Sequence, residues 1–159
     1  MAIAIFAKFN GIDGESRDAA HKGKTDVLDW RWGLSQSGSM HTGTAGGKAT
    51  VQDLIIHKMV DKSTPVLQLH CFNAKRIDEV TLSVYKMGEE PLEYTTITMK
   101  KVLISSIDNG GENGKEGLTE ELRLNFAEVK FEYQPQGQDG KADGGKVEMA
   151  WNIAENVKV

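Results

Sequence analysis

The chain has 159 residues, with 19 lysine and arginine residues against 23 aspartate and glutamate residues and a formal net charge of −4 at pH 7. This length predicts a single domain with one core. The acidic balance argues against a nucleic-acid groove, which needs a basic excess. The single cysteine excludes an internal disulfide, and no apolar run approaches the ~18 residues of a membrane span.

Residues 2–9 predict the first strand, because Ile3, Ile5 and Ala7 alternate with smaller or polar neighbours. The segment has no basic residue ahead of its apolar run, which is broken at Lys8, so it does not resemble a cleavable secretory leader. We therefore expect synthesis in the cytoplasm. Secretion, if it occurs, would use a route that reads no cleavable signal peptide.

Residues 26–40 predict a longer strand with two different faces. The core face is expected to carry Leu28, Trp30, Trp32 and Leu34. The other face is small and polar, and carries Asp29, Arg31, Gly33, Ser35, Ser37 and Ser39. Such a division is typical of a strand with one side on the core and the other on water or a neighbouring subunit.

The rest of the chain is mostly period-two as well. Strands are expected within 48–60, 80–84, 96–104, 122–133 and 147–153. In the fourth of these the apolar parity changes near Ala127, which predicts a bulge or corner. Three glycine-bearing segments, at 41–48, 105–117 and 137–145, predict loops.

One helix is predicted at 65–74, where Ser63 and Thr64 supply capping hydroxyls and Pro65 occupies the first helical position. Leu69 and Phe72 are expected to pack on the sheet. The predicted fold is mainly β: a β-barrel of two curved, mostly antiparallel sheets with one short α-helix on the side.

Catalytic and ligand motifs are weak throughout. Gly23-Lys24-Thr25 has the end of a phosphate-binding loop without its earlier glycine, and residues 139–150 depart from a calcium loop. His70 and Cys71 are adjacent, so on a helix they diverge by about 100° and cannot grip one metal ion. We expect no catalytic residue, no cofactor and no metal, and hence a protein that is not an enzyme.

Several ordered sequence blocks run along the chain: DVLDWRWG at 26–33, SQSGSMH at 35–41, VQDL at 51–54, DKSTP at 61–65, LNFA at 124–127, YQPQ at 133–136, and GG at 144–145 before WNI at 151–153. Together these blocks resemble the haemolysin-coregulated protein (Hcp) family, which forms the inner tube of type VI secretion systems. The resemblance spans essentially the whole chain, so residues 1–159 are expected to form a single Hcp-like tube domain with no fused effector domain.

The resemblance implies a structural role. Members of this family form hexameric rings that stack into tubes, are exported, and bind or chaperone small effector proteins in the ring lumen. The implied partners are further copies of the chain, the type VI sheath, spike and baseplate proteins, and small effectors. Binding of nucleic acid and insertion into a membrane are not expected.

Two surfaces are candidates for these contacts. Arg31, Ser35 and Ser37 are expected to line the lumen and touch effectors, although an ordinary solvated strand face explains their pattern equally well. The glycine-bearing loops are candidates for ring stacking or subunit contacts; their residues are His41, Thr42, Gly43, Thr44, Gly46, Gly47, Gly110, Gly111 and Glu112. Two alternative functions remain open, a phage-like tail tube protein and a small glycan- or lipid-binding barrel.

Overall fold

The computed structural model describes residues 2–43 and 46–159. The strands in this part of the chain are β1 (Ile3–Phe9), β2 (Thr25–Arg31), β3 (Leu34–Ser35), β4 (Thr50–Val51), β5 (Leu54–Met59), β6 (Ile77–Lys86), β7 (Leu92–Gly110), β8 (Thr119–Tyr133), β9 (Val147–Asn152) and β10 (Val157–Lys158). The helix α1 (Thr64–Asn73) lies between β5 and β6.

Six strands close into an antiparallel barrel in the order β8-β5-β2-β1-β6-β7, with β7 pairing back to β8. The strands β9 and β10 extend the sheet from β8, and β3 pairs with β4 in a separate two-stranded sheet. Closure is possible because β8 divides its pairing: residues 119–124 bond to β5, and residues 128–133 bond to β9. The predicted mainly β barrel with one helix is confirmed.

The predicted corner at Ala127 is present. Leu124 and Phe126 are buried before it and Val129 after it, so the inward parity changes by one residue. The partner strand β7 changes its inward parity at the same level. There Lys101 lies between the two β7 residues that pair with Phe126 and Glu128, and it has a left-handed φ of 54°. Since both strands shift their parity together, the ladder keeps its register while the sheet turns.

The strand predicted at 26–40 is wrong in length and partly wrong in facing. It ends at Arg31, and a register shift between Val27 and Asp29 inserts Leu28 as an extra residue. Leu28 is therefore 54% exposed, and Leu34, which lies in β3 of the separate sheet, is 55% exposed; neither belongs to the core. An inserted residue reverses the facing of everything on one side of it, which parity alone does not reveal.

The predicted packing of α1 is also wrong. Leu69 is 57% exposed and Phe72 is 89% exposed, whereas Leu67 is fully buried in the core. The predicted hydroxyl cap is absent, because Ser63 is the N-cap residue but its side chain makes no capping bond and instead donates to Asp61. The helix is nevertheless fixed to the barrel at its first turn.

That attachment is a buried charged cluster around Lys58. Its ammonium group, 0% exposed, lies 2.6 Å from Glu120 Oε2 and 3.0 Å from Asp61 Oδ1, and it donates to Thr64 Oγ1 at 3.3 Å. The contact with Glu120 Oε2 is ionic, without the alignment of a hydrogen bond. Thr64 Oγ1 in turn donates to Glu120 Oε1 at 2.8 Å. Because these groups span β5, β8 and α1, they determine which face of the helix points inward.

Candidate assembly and cargo surfaces

The outer face of β2, β5 and β8 carries two cross-strand rows of polar side chains. In one row Asp29, His57 and Glu121 are register partners. In the neighbouring row Arg31 and Arg123 lie on either side of Ile55. Strands alternate their facing with a period of two, so both rows share the face that points away from the core.

His57 joins the first row together. Its Nδ1 lies 2.5 Å from Asp29 Oδ1, and its Nε2 lies 3.0 Å from Glu121 Oε2. The hydrogen bond to Asp29, followed by the one to Glu121, raises the pKa of His57 above 6.5. The hydrogen bonds from His57 and then Arg123 lower the pKa of Glu121. The row thus favours a protonated imidazole between two carboxylates.

The second row contains two arginines, of which only one is held in an ion pair within the described part of the chain. Arg123 Nε donates to Glu121 Oε1 at 2.9 Å, whereas the exposed Arg31 takes part in none of the ion pairs among residues 2–43 and 46–159. Sequence reasoning identified Arg31 but missed His57, because the pairing of His57 with Asp29 depends on strand register. The one indication of this site in the sequence was Asp29, which was predicted on the polar face of its strand.

The three proposed cargo residues do not share one strand. Arg31 ends β2, Ser35 belongs to β3 and pairs with Thr50, and Ser37 follows in a loop. All three are exposed. The two-residue interruption after β2 means that a common face has to be produced by the packing of the β3–β4 sheet and not by strand alternation.

The first glycine-bearing loop is partly organised by Gln36. Its Nε2 donates to the Gly47 carbonyl at 2.8 Å, and a side chain at Gly46 would collide with it, 2.6 Å from the Gln36 amide. His41, Thr42 and Gly43 form an exposed turn, with Gly43 at a φ of 69°. Thr44 lies outside the described residues.

The second loop follows β7. The loop predicted at 105–117 starts too early, because 105–110 belong to β7 and pair with β8. Gly110 is the last residue of the strand, and Gly111 and Glu112 come directly after it. Glu112 Oε2 pairs with Lys115 Nζ at 2.9 Å, and both side chains are about 70% exposed. Such an exposed pair contributes little to stability, so the loop is free to take part in contacts.

An apolar recess of about 350 Å³ lies where the β3–β4 sheet meets β9. Its walls include Trp32, Leu34, Val51, Met149 and Trp151. Trp32 is half-buried, packs against the core, and donates from Nε1 to the Gln52 carbonyl at 2.9 Å. Sequence reasoning placed Trp32 and Trp151 on separate strands and did not bring them together.

Within residues 2–43 and 46–159, no group of three or more His, Cys, Asp or Glu side chains is arranged to hold a metal ion. In the same part of the chain, no helix has the length and apolar character needed to span a membrane.

Comparison with known proteins gives a consistent result. The family described as "Type VI secretion system effector, Hcp" matches residues 6–133. Protein hcp1 of Pseudomonas aeruginosa is 48% identical over 161 residues, covering 99% of each chain.

Solved structures agree in fold. Hcp1 from Salmonella typhimurium superposes with a TM-score of 0.83 at 33% identity, covering 100% of both chains. A structure described as a type six secretion system protein has a TM-score of 0.91 at 29% identity, covering 99% of this chain and 100% of the other. A full-length relative at 48% identity and a family match over most of the barrel lead to one assignment: the chain belongs to the Hcp family of type VI secretion proteins.

Proposed function

We propose that the chain is the structural subunit of a type VI secretion tube, forming hexameric rings that stack. The observation that supports self-association is the apolar surface left uncovered on one chain. Val66, Leu69 and Phe72 are exposed side by side on α1, and Val147 and Met149 are exposed on β9. Several large apolar side chains left exposed on one element are typical of a surface that contacts another protein.

Size-exclusion chromatography with light scattering tests the ring. The expected mass is close to six times the 17.5 kDa of one chain. A chain that stays monomeric at high concentration would contradict the proposal. Electron microscopy of the same sample distinguishes a closed ring from an irregular aggregate.

The outer face of β2, β5 and β8 is the proposed lumen wall. Arg31, which belongs to no ion pair among the described residues, lies there next to the row centred on His57, and the exposed Ser35 and Ser37 follow it in the chain. A polar, hydrated wall of this kind can hold small effector proteins reversibly, since its contacts are hydrogen bonds and exposed charges.

Arg31→Glu tests the cargo role. Small proteins that copurify with rings from the native bacterium are expected to decrease severalfold, as measured by quantitative mass spectrometry, while the ring mass stays unchanged. Arg17→Glu is the matched control, because Arg17 is also exposed and carries the same charge. Unchanged copurification with Arg31→Glu would remove the cargo assignment.

This function also implies export with the tube, contacts with sheath, spike and baseplate proteins, and no catalytic activity. The loop at 41–48 and the segment 105–117, in which 105–110 end β7 and 111–117 form the loop, remain candidates for ring contacts. Deleting two residues from the first loop should interrupt tube growth seen by electron microscopy, and normal tubes would count against it.

A second candidate function, binding of a small apolar ligand, is favoured by the recess that contains Trp32 and Trp151. Paired aromatic walls suit a lipid chain or the apolar face of a sugar. Titration of a fatty acid or a disaccharide against tryptophan fluorescence tests it. Saturable quenching in a monomeric protein would support ligand binding over the tube.

A further inference from the structure

The turn between β6 and β7 carries unpaired negative charge. This acidic turn, residues 87–91, contains Glu89 and Glu90, both exposed. Neither carboxylate belongs to an ion pair among the described residues. It lines a shallow hollow with residues 139–142, where Asp139 adds a third carboxylate beside Lys86 and Lys141.

A recess elsewhere on the barrel carries unpaired positive charge. This basic recess, about 700 Å³, is edged by Lys48, Arg76 and Lys101, and no carboxylate lines it. All three cations are exposed, and none belongs to an ion pair in the part of the chain that the structure describes. Leu103 and Ile153 supply apolar wall between them.

The acidic turn and the basic recess lie at opposite ends of one hairpin. β6 begins directly after Arg76 and ends directly before Met87. Its ten residues span about 33 Å. Lys101 is the tenth residue of β7, which returns over the same distance from the turn. The two charged features are therefore displaced along the strand direction, with opposite sign at each end.

We propose that the acidic turn of one copy docks into the basic recess of a second copy, so that copies join head to tail. This rests on the proposed function and specifies which surfaces meet between successive rings. A contact between two different patches is heterologous, and when it repeats along an axis it extends without limit. Complementary charge orients such a contact and rejects the opposite orientation, in which like charges meet.

Charge reversal at either end tests the contact. Glu89→Lys with Glu90→Lys, or Arg76→Glu with Lys101→Glu, should reduce assembled tubes at low salt by ~tenfold or more, since like charges then face each other. The measurement is pelleted protein after ultracentrifugation, checked by negative-stain electron microscopy. High salt should weaken the wild-type contact, because the Debye length falls to ~3 Å at 1 M.

Mixing the two charge-reversal variants is the most direct test of the contact. The first variant has basic groups at both ends and the second has acidic groups at both ends, so each alone repels itself. Together they should assemble as alternating layers and recover most of the wild-type pellet. A quadruple variant with both ends reversed should also assemble alone. Failure of both rescues would overturn the proposal.

Asp13→Lys with Glu15→Lys is the matched control, because both residues are exposed between β1 and β2 and the variant makes the same change in net charge. It should assemble like the wild type; a loss equal to that of the turn variant would overturn the proposal. Light scattering on dilute wild-type protein distinguishes failure of the proposed ring from failure of the proposed contact between rings. A monomer there contradicts the ring, whereas an intact ring whose tubes ignore both reversals contradicts only the contact.

Discussion

Lys58 shows how one side chain determines the placement of a whole helix. It lies on the same parity of β5 as the core residues Leu54 and Ile56, and its charge is compensated by Glu120 and Asp61. A buried ion pair is weak evidence for net stability, but removing one partner leaves the other charge uncompensated. In the sequence, the indication of this buried charge is a lysine at a position whose strand parity is otherwise apolar.

Lys58→Met should lower the free energy of unfolding by ~3–5 kcal/mol, because Glu120 loses its cation while remaining buried. Urea denaturation measures the change. Lys62→Met is the matched control on an exposed lysine and should alter stability by less than ~0.5 kcal/mol. Equal effects of the two substitutions would contradict the role given to the cluster.

His57 makes stability depend on pH with a definite sign. Its folded pKa is raised above the ordinary 6.5, so its contribution is complete below 6.5 and is lost as the pH rises through the folded value. NMR titration of the imidazole should therefore give a pKa above 6.5. Asp29→Asn should bring it down, and an unchanged value would contradict the assigned hydrogen bond.

At the level of elements, alternation predicted most of what the barrel shows. It located the strands and the corner at Ala127, because a half-buried strand records its facing in every second residue. Alternation failed where an inserted residue, Leu28, interrupts the period of two. The strand through Leu28 was also predicted too long. The pairing of His57 with Asp29 and the two-tryptophan recess also escaped prediction, since both require tertiary register.

The helix provides a direct test of that difference. Leu67→Ala should cost ~2–5 kcal/mol, because Leu67 is fully buried in the core. Leu69→Ala should change the free energy of unfolding by less than ~0.5 kcal/mol. Both are measured in urea at a dilution that keeps the chain monomeric. A larger loss at Leu69 than at Leu67 would reverse the assignment of the helix faces.

Across the whole molecule, closure of the barrel leaves few surfaces through which copies can meet. The described strand β10 that ends the sheet has two residues, and α1 and β9 each carry three exposed large apolar side chains. Short sheet edges limit uncontrolled strand pairing. Exposed side chains on α1 and β9 can carry association, which is compatible with a defined ring and with charged contacts between rings.

Phe72→Ser should separate association from folding. The side chain is 89% exposed, so the free energy of unfolding of the monomer should hardly change. If α1 contacts a neighbouring subunit, the ring mass measured by light scattering should fall toward that of one chain at low concentration. A ring of full mass at every dilution would show that this part of α1 lies outside the interface.

The long hairpin has a mechanical consequence. β6 and the first half of β7 run between the acidic turn and the basic recess and are joined by a ladder of hydrogen bonds along that length. A load applied along the strands acts on all of these bonds in shear, whereas a load across them would open the ladder one bond at a time. The proposed contact between copies would apply load along this direction, so the hairpin would resist it with all of these bonds at once.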